Sequence, residues 1–170
     1  DRPSLAILPC MNLGNDAAAE SFVMGLHEDL LTNTAGIKGL RVISRTSVDR
    51  YRNTDKTIPQ IGKELGVNHL LECGVQRVKT PTGDRVRVNA QLIQAKFDDH
   101  LWAEAYDRHL TAENLFRVQE DIVHAVGGSV ELRHPLFSGA SVVLPFVDVG
   151  ALVDSPSDLA RVLSAEDNPL

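Results

Sequence analysis

Val67-Asn68-His69-Leu70-Leu71-Glu72-Cys73-Gly74-Val75-Gln76-Arg77-Val78, then Thr80-Pro81-Thr82-Gly83-Asp84, then Arg85-Val86-Arg87-Val88-Asn89-Ala90-Gln91-Leu92-Ile93 is the stretch that decides the fold. In the third piece Val86, Val88, Ala90 and Leu92 alternate with Arg85, Arg87, Asn89 and Gln91. A period of two puts one set on a buried face and the other in water, so this is a half-buried strand. Leu71, Cys73 and Val75 repeat the alternation upstream, and Pro81 and Gly83 mark the turn between the two runs. Phe97-Asp98-Asp99-His100 reads as a second turn, after which Leu101 to Leu110 returns as a third strand carrying Trp102 and Tyr106. The expectation is a three-stranded antiparallel meander.

Toward the amino terminus the period changes. Ser4-Leu5-Ala6-Ile7-Leu8 is a short apolar run closed by Pro9, and it reads as a buried strand. Asn15 or Asp16 can cap the helix that follows, in which Ala19, Phe22, Val23, Leu26 and Leu30 recur at helical spacing until Gly36. Leu40 to Ile43 is a further strand, and Thr46 or Ser47 opens a brief helix through Val48 and Tyr51. Ile61 and Leu65 share one face of a short helix, with Pro59 near its start and Gly66 as its left-handed terminator. Beyond the meander, Leu115, Val118, Ile122 and Ala125 form the stripe of a last helix, which Gly127-Gly128 should fray or end. The order β-α-β-α-α-β-β-β-α predicts an α/β (α+β) sandwich, a mixed sheet with helices packed on it.

Of the 170 residues, 43% are apolar and 24% charged, enough to bury a core. The net charge is -6, and residues 134–170 set Arg161 alone against Asp148, Asp154, Asp158, Glu166 and Asp167. Neither part has the basic excess that neutralises several phosphates, so nucleic acid and anionic membrane surfaces are disfavoured as partners. No run approaches the ~20 apolar residues of a membrane span. Cys10 and Cys73 do not form a CxxC pair and are expected to be two free, buried thiols.

Seven segments between residues 4 and 126 resemble the TolB amino-terminal-like domain family: Ser4 to Pro9, Phe22 with Gly25 to Leu30, Leu40 to Ser47, Ile61 to Val67, Leu71-Glu72, Arg85 to Ile93 and Leu101 to Arg108. The resemblance implies a module of bacterial multidomain proteins that sits between a signalling part, such as an adenylate cyclase or winged-helix domain, and tetratricopeptide repeats. It implies a fold similar to envelope proteins of the TolB and FlgO kind and a non-catalytic sensory or protein-interaction role. The family usually has Phe where Cys10 stands and a small residue where Cys73 stands. The expected domain is 3–133, with 134–170 an extension outside the pattern. A chain that opens on Asp1 with no signal-peptide pattern reads as an excised fragment or mature portion, which leaves bacterial cytoplasm and periplasm both open.

Chemistry-bearing residues are sparse. A rival reading is a small hydrolase of esterase type with a Ser/His pair drawn from Ser129, Ser138, Ser141 and His134, but no GxSxG elbow is present and small residues in a connector explain these serines. Asp98-Asp99-His100 reads as a solvated turn, Glu120 and His124 as an i,i+4 surface pair, and His27-Glu28-Asp29 as the wet side of the first helix. No catalytic, metal or cofactor residues are expected, and no GxGxxG or Walker loop follows any strand. Trp102 and Tyr106 face one side and read as core. The alternating Arg85, Arg87, Asn89 and Gln91 read as a wet sheet surface, whose functional alternative is a polar docking face for a protein partner or neighbouring domain. A third reading is a free-standing envelope interaction protein.

The tail carries an internal similarity. Ala6 to Gly14 aligns with Val142 to Gly150, Leu8-Pro9 lying on Leu144-Pro145 and Phe146 on Cys10. Ser155-Pro156 then opens a helix over 156–164 through Leu159, Val162 and Leu163. So short a unit cannot bury its own strand. The strand at 141–149 is therefore expected to add to a sheet edge of its own domain or of a neighbouring copy through Val142, Val143, Leu144, Phe146 and Val147, giving a homodimer in the second case; the alternative is a chance apolar strand that packs over the domain's flank. Deleting 137–170 should lower solubility or stability, or change the mass in light scattering. A truncated chain that is equally soluble, equally stable and unchanged in mass would refute the added strand.

Overall fold

In the computed structural model, residues 2–131 are described. The chain divides into two units, Asp1–Ser138 and Gly139–Leu170. The strand expected at 141–149 and the helix at 156–164 lie outside the described residues.

Leu5, Ala6 and Ile7 are all fully buried, so the first strand, β1 (Ser4–Ile7), is interior on both faces. Along the chain follow β2 (Met11–Asn12), a 3-10 turn at Ala17–Ala19, α1 (Glu20–Ala35), β3 (Arg41–Val42), α2 (Arg45–Asp49), α3 (Ile58–Leu65), β4 (His69–Val78), β5 (Arg85–Gln94), β6 (Asp99–His109) and α4 (Ala112–Glu131). Apart from the two-residue β2, this is the order read from the sequence. The strands form one six-stranded sheet in the order β3-β1-β4-β5-β6, with β2 also beside β4. Pairs involving β1, β2 and β3 are parallel, and β4-β5-β6 is the antiparallel meander.

Helices pack on both faces. Leu26, Leu30, Val118, Ile122 and Val126 of α1 and α4 meet Leu71, Cys73, Val75, Val88 and Leu92 in the larger core. Val48, Tyr51 and Ile61, from α2, the residues after it and α3, meet Ala6, Leu8, Leu70 and Ala95 on the other side. Right-handed crossovers require this split, because β1-α1-β3 and β3-α2-α3-β4 move across the sheet in opposite directions.

Local signals set the helix ends. The Asp16 carboxylate accepts from the Ala18 amide at 3.0 Å. Thr57 and Gln60 form a reciprocal capping box at the start of α3, and Gly66 ends it with φ 63°. Gly62 packs so closely against Ala95, the residue after β5, that a Cβ there would lie 2.5 Å from that of Ala95.

Several expectations are corrected. The brief helix starts at Arg45, with Ser44 as its N-cap residue, before Thr46 and Ser47. β6 begins at Asp99, because the turn closes over residues 95–98. α4 runs through Gly127-Gly128 to Glu131, since Val126 and Val130 are buried on either side and packing outweighs glycine's low helix propensity. His27 is not on the wet side of α1. It is buried, and its Nε2 lies 3.0 Å from the Ile7 carbonyl, which can only accept, so that nitrogen carries the proton.

The cysteines are not free: Cys10 and Cys73 are joined in a disulfide, with Cα atoms 4.7 Å apart. Pro9 has no N–H to give the ladder, and the register shifts by one residue across it, from Ile7 opposite Leu71 to Met11 opposite Gly74. A one-residue slip turns a side chain to the other face. That slip brings Cys10 beside Cys73 in the larger core.

A bond spanning 63 residues should contribute about 2–4 kcal/mol, mainly by restricting the unfolded chain. The protein denatured without reductant should show no thiol reactive to Ellman's reagent, and reduction should lower its unfolding free energy by that amount. Two reactive thiols, or stability indifferent to reductant, would show that the bridge does not form.

Candidate interaction face

Strand alternation places Arg85, Arg87, Asn89 and Gln91 of β5 on the sheet face opposite the larger core. Their antiparallel partners on β4 are Val78, Gln76, Gly74 and Glu72, and on β6 His109, Asp107, Ala105 and Ala103. α2 and α3 cover only the part of this face near Leu70 and Ala95. Gln76, Val78, Arg87, Ala103, Ala105 and His109 are exposed, and Arg85, Asn89 and Gln91 are half-buried. The four residues read from the sequence thus lie together on one open, mostly polar surface.

Its centre is Asp107. Arg85 Nε donates to Asp107 Oδ1 at 2.9 Å, and Arg87 Nη2 donates to Oδ2 at 3.1 Å. Arg85 Nη1 also lies 3.2 Å from His109 Nε2. Hydrogen bonds from Arg85, then Arg87, hold the Asp107 carboxyl below the usual aspartate range. One carboxylate between two guanidinium groups leaves a local positive charge, and N–H donors remain to meet a partner. Met11 and Leu13 add exposed apolar surface beside it, with Leu13 folded over Gly74. Farther along the face stands Glu72. Burial pushes its carboxyl up, His100 opposes that, and Asp98 adds to it.

Sequence reading missed Asp107, His109 and Glu72. Asp107 was within reach, because the hairpin register that sets Arg85 opposite His109 also sets Arg87 opposite Asp107. Tyr106 is buried in the larger core as expected, and Trp102 packs partly buried against it. Of the hydrolase candidates, Ser129 is half-buried on α4, whereas His134, Ser138 and Ser141 lie outside the described residues. So do Val142, Val143, Leu144, Phe146 and Val147. Among the described residues no group of three or more His, Cys, Asp or Glu gathers to hold a metal. No helix among them is long and apolar enough to cross a membrane.

A second surface feature lies between α1 and α4, an open groove lined by Asp29, Asn33, Phe116, Gln119, Glu120, Val123 and His124. Gln119 Nε2 donates across it to Asp29 Oδ2 at 2.8 Å.

No family model matches the chain. A curated relative from Rhizobium meliloti (strain 1021), described as "Putative adenylate cyclase 3", is 36% identical over 132 residues, 78% of this chain. The chain spans 22% of that relative's length. Among solved structures, TolB from Acinetobacter baumannii superposes with a TM-score of 0.52 at 17% identity, over 76% of this chain and 28% of its own. Protein CT253 from Chlamydia trachomatis gives 0.53 at 14% identity, over 75% of this chain and 98% of its own. Lipoprotein GNA1162 from Neisseria meningitidis gives 0.50 at 14% identity, with the same two coverages of 75% and 98%. These likenesses show a shared fold.

Glu72 and Asp107 should respond to pH with opposite signs. At neutral pH a half-buried, ionised Glu72 opposes folding, so Glu72→Gln should raise the melting temperature, and the gain should vanish as pH falls below the ordinary glutamate range. Asp107→Asn should lower it at neutral pH, and that loss should fade as pH falls through the depressed Asp107 value. Melting curves from pH 3 to 7 check both, and equal pH profiles for the two variants would contradict the assignments.

Proposed function

We propose that residues 3–133 act as a non-catalytic protein-interaction module of a larger bacterial signalling protein, of the TolB amino-terminal-like kind, with 134–170 as its extension. The observation that carries the reading is the open sheet face, where Arg85 and Arg87 are held side by side on Asp107 next to flat, exposed Ala103 and Ala105. Polar, partly pre-ordered surfaces of this sort suit contacts with a neighbouring domain, since their side chains lose little freedom on binding. The Rhizobium relative supports the setting, because this stretch is a minor part of a protein named as a cyclase.

A second reading, a free-standing envelope interaction protein, is favoured by one specific observation. The Cys10–Cys73 disulfide suits an oxidising compartment, and buried bridges of this kind are rare in the cytosol. The fold also accounts for 98% of the CT253 and GNA1162 chains.

A chimaera decides between them. In the Rhizobium relative, the matching 132 residues are replaced by this chain, with and without Arg85→Glu and Arg87→Glu, and cyclic AMP is measured alongside the melting temperature of each isolated module. The signalling reading expects cyclase output to change severalfold on charge reversal while the isolated module, melting lower for the loss of its Asp107 contacts, stays folded at the assay temperature. Output indifferent to reversal rejects this face as the docking surface. A chain recovered from the bacterium with its disulfide formed and a cleaved leader supports the envelope.

A further inference from the structure

β6 is the last strand of the sheet on its side among the described residues, and it is eleven residues long, against two for β3 at the other edge. Natural sheets blunt long edges with proline, bulges or inward charges, and here Glu104 and Arg108 stand on the same face as buried Tyr106, so only a partner strand that neutralises them can pair with this edge. Here the one irregularity lies opposite Leu92/Ile93, near the start of β6, and pairing from Trp102 to His109 is regular. Ala103, Glu104 and Ala105 are exposed. No proline interrupts the run.

We propose that β6 pairs antiparallel with β6 of a second copy, joining two sheets edge to edge with Tyr106 opposite its own counterpart. Outward-facing amides and carbonyls alternate along an edge, so two copies related by a twofold axis can match only residues of like parity. Each allowed register is therefore centred on one residue, and the charges of Glu104, Asp107 and Arg108 choose among them. Centring on Glu104 or on Asp107 sets like charges directly opposite, which destabilises a sheet. Centring on Ala105 sets Glu104 against Tyr106, Asp107 against Ala103 and Arg108 against Trp102, with no ion pair. Centring on Tyr106 sets Glu104 against Arg108 twice by symmetry, and places small Ala105 and Ala103 opposite Asp107 and His109. The strand is self-complementary in that register. Asp107 keeps its contacts with Arg85 and Arg87 within its own sheet, so this interface and the docking face of the previous subsection stand or fall separately.

The test uses the full 170-residue chain in light scattering coupled to size exclusion. The unaltered protein should run as a dimer at tens of micromolar. Glu104→Arg and Arg108→Glu should each shift it to monomer, and the double variant should restore the dimer. An equimolar mixture of the two single variants should also dimerise, because one then offers two arginines and the other two glutamates. Circular dichroism verifies that each variant is folded; should a single variant unfold alone, the double variant and the mixture still read the pairing. A monomer at every concentration overturns the proposal, as does a dimer whose mass ignores both single reversals or is not restored by the double one.

Discussion

Every other element depends on the double pairing of β4. It accepts β1 and β2 in parallel along one side and β5 in antiparallel register along the other, so it joins two different kinds of sheet. Leu70 and Leu71, side by side in sequence, are both fully buried because they face opposite cores. Helical crossovers are needed on the parallel side, where the chain must return to the same end of the sheet, and they cover both faces there. Hairpins suffice on the antiparallel side and bring no helix with them. The open polar face is thus what remains once topology has spent α2 and α3 on the parallel half, with α1 and α4 on the far side.

The buried polar groups follow from the same strand arrangement. His27 donates to the carbonyl of Ile7, the last residue of β1 before the ladder breaks at Pro9. At the other end of β1, Ser4 Oγ donates to Asn68 Oδ1 at 2.8 Å and accepts from the Asn68 amide at 2.9 Å, and His69 Nδ1 lies 3.2 Å from the Ser4 carbonyl. An unpaired polar group in a core costs about 1–3 kcal/mol, so these contacts fix where β1 can sit between β3 and β4. The disulfide locks the continuation of the same strand past Pro9.

Electrostatics separates structure from surface. Lys56 and Tyr51 together tie Glu64 of α3 to the chain between α2 and α3, and these hydrogen bonds hold its carboxyl below the usual range. Arg77 bridges to Asp84 across the β4–β5 turn and to Asp16 before α1. Those pairs brace loops. The pair on Asp107 braces nothing beyond two adjacent strands, which is why its arginines are the ones suited to a partner.

Sequence alone determined the elements and their faces. Strict alternation in 85–92, apolar spacing in α1 and α4, and the Thr57, Pro59 and Gly66 signals around α3 are local, and local backbone geometry reads them directly. It placed Arg85, Arg87, Asn89 and Gln91 on one surface for the same reason. What it could not decide depended on atoms distant in the chain. Cys10 meets Cys73 only because the register slips at Pro9, and His27 is buried only because α1 lies over the end of β1. α4 continues through two glycines because Val130 finds a core to enter. Asp107 becomes the centre of the exposed face because the β5–β6 hairpin folds it back onto Arg87, 20 residues earlier in the chain. Pairing across the sheet, and which face each crossover covers, are properties of the assembled backbone, so tertiary structure decided them.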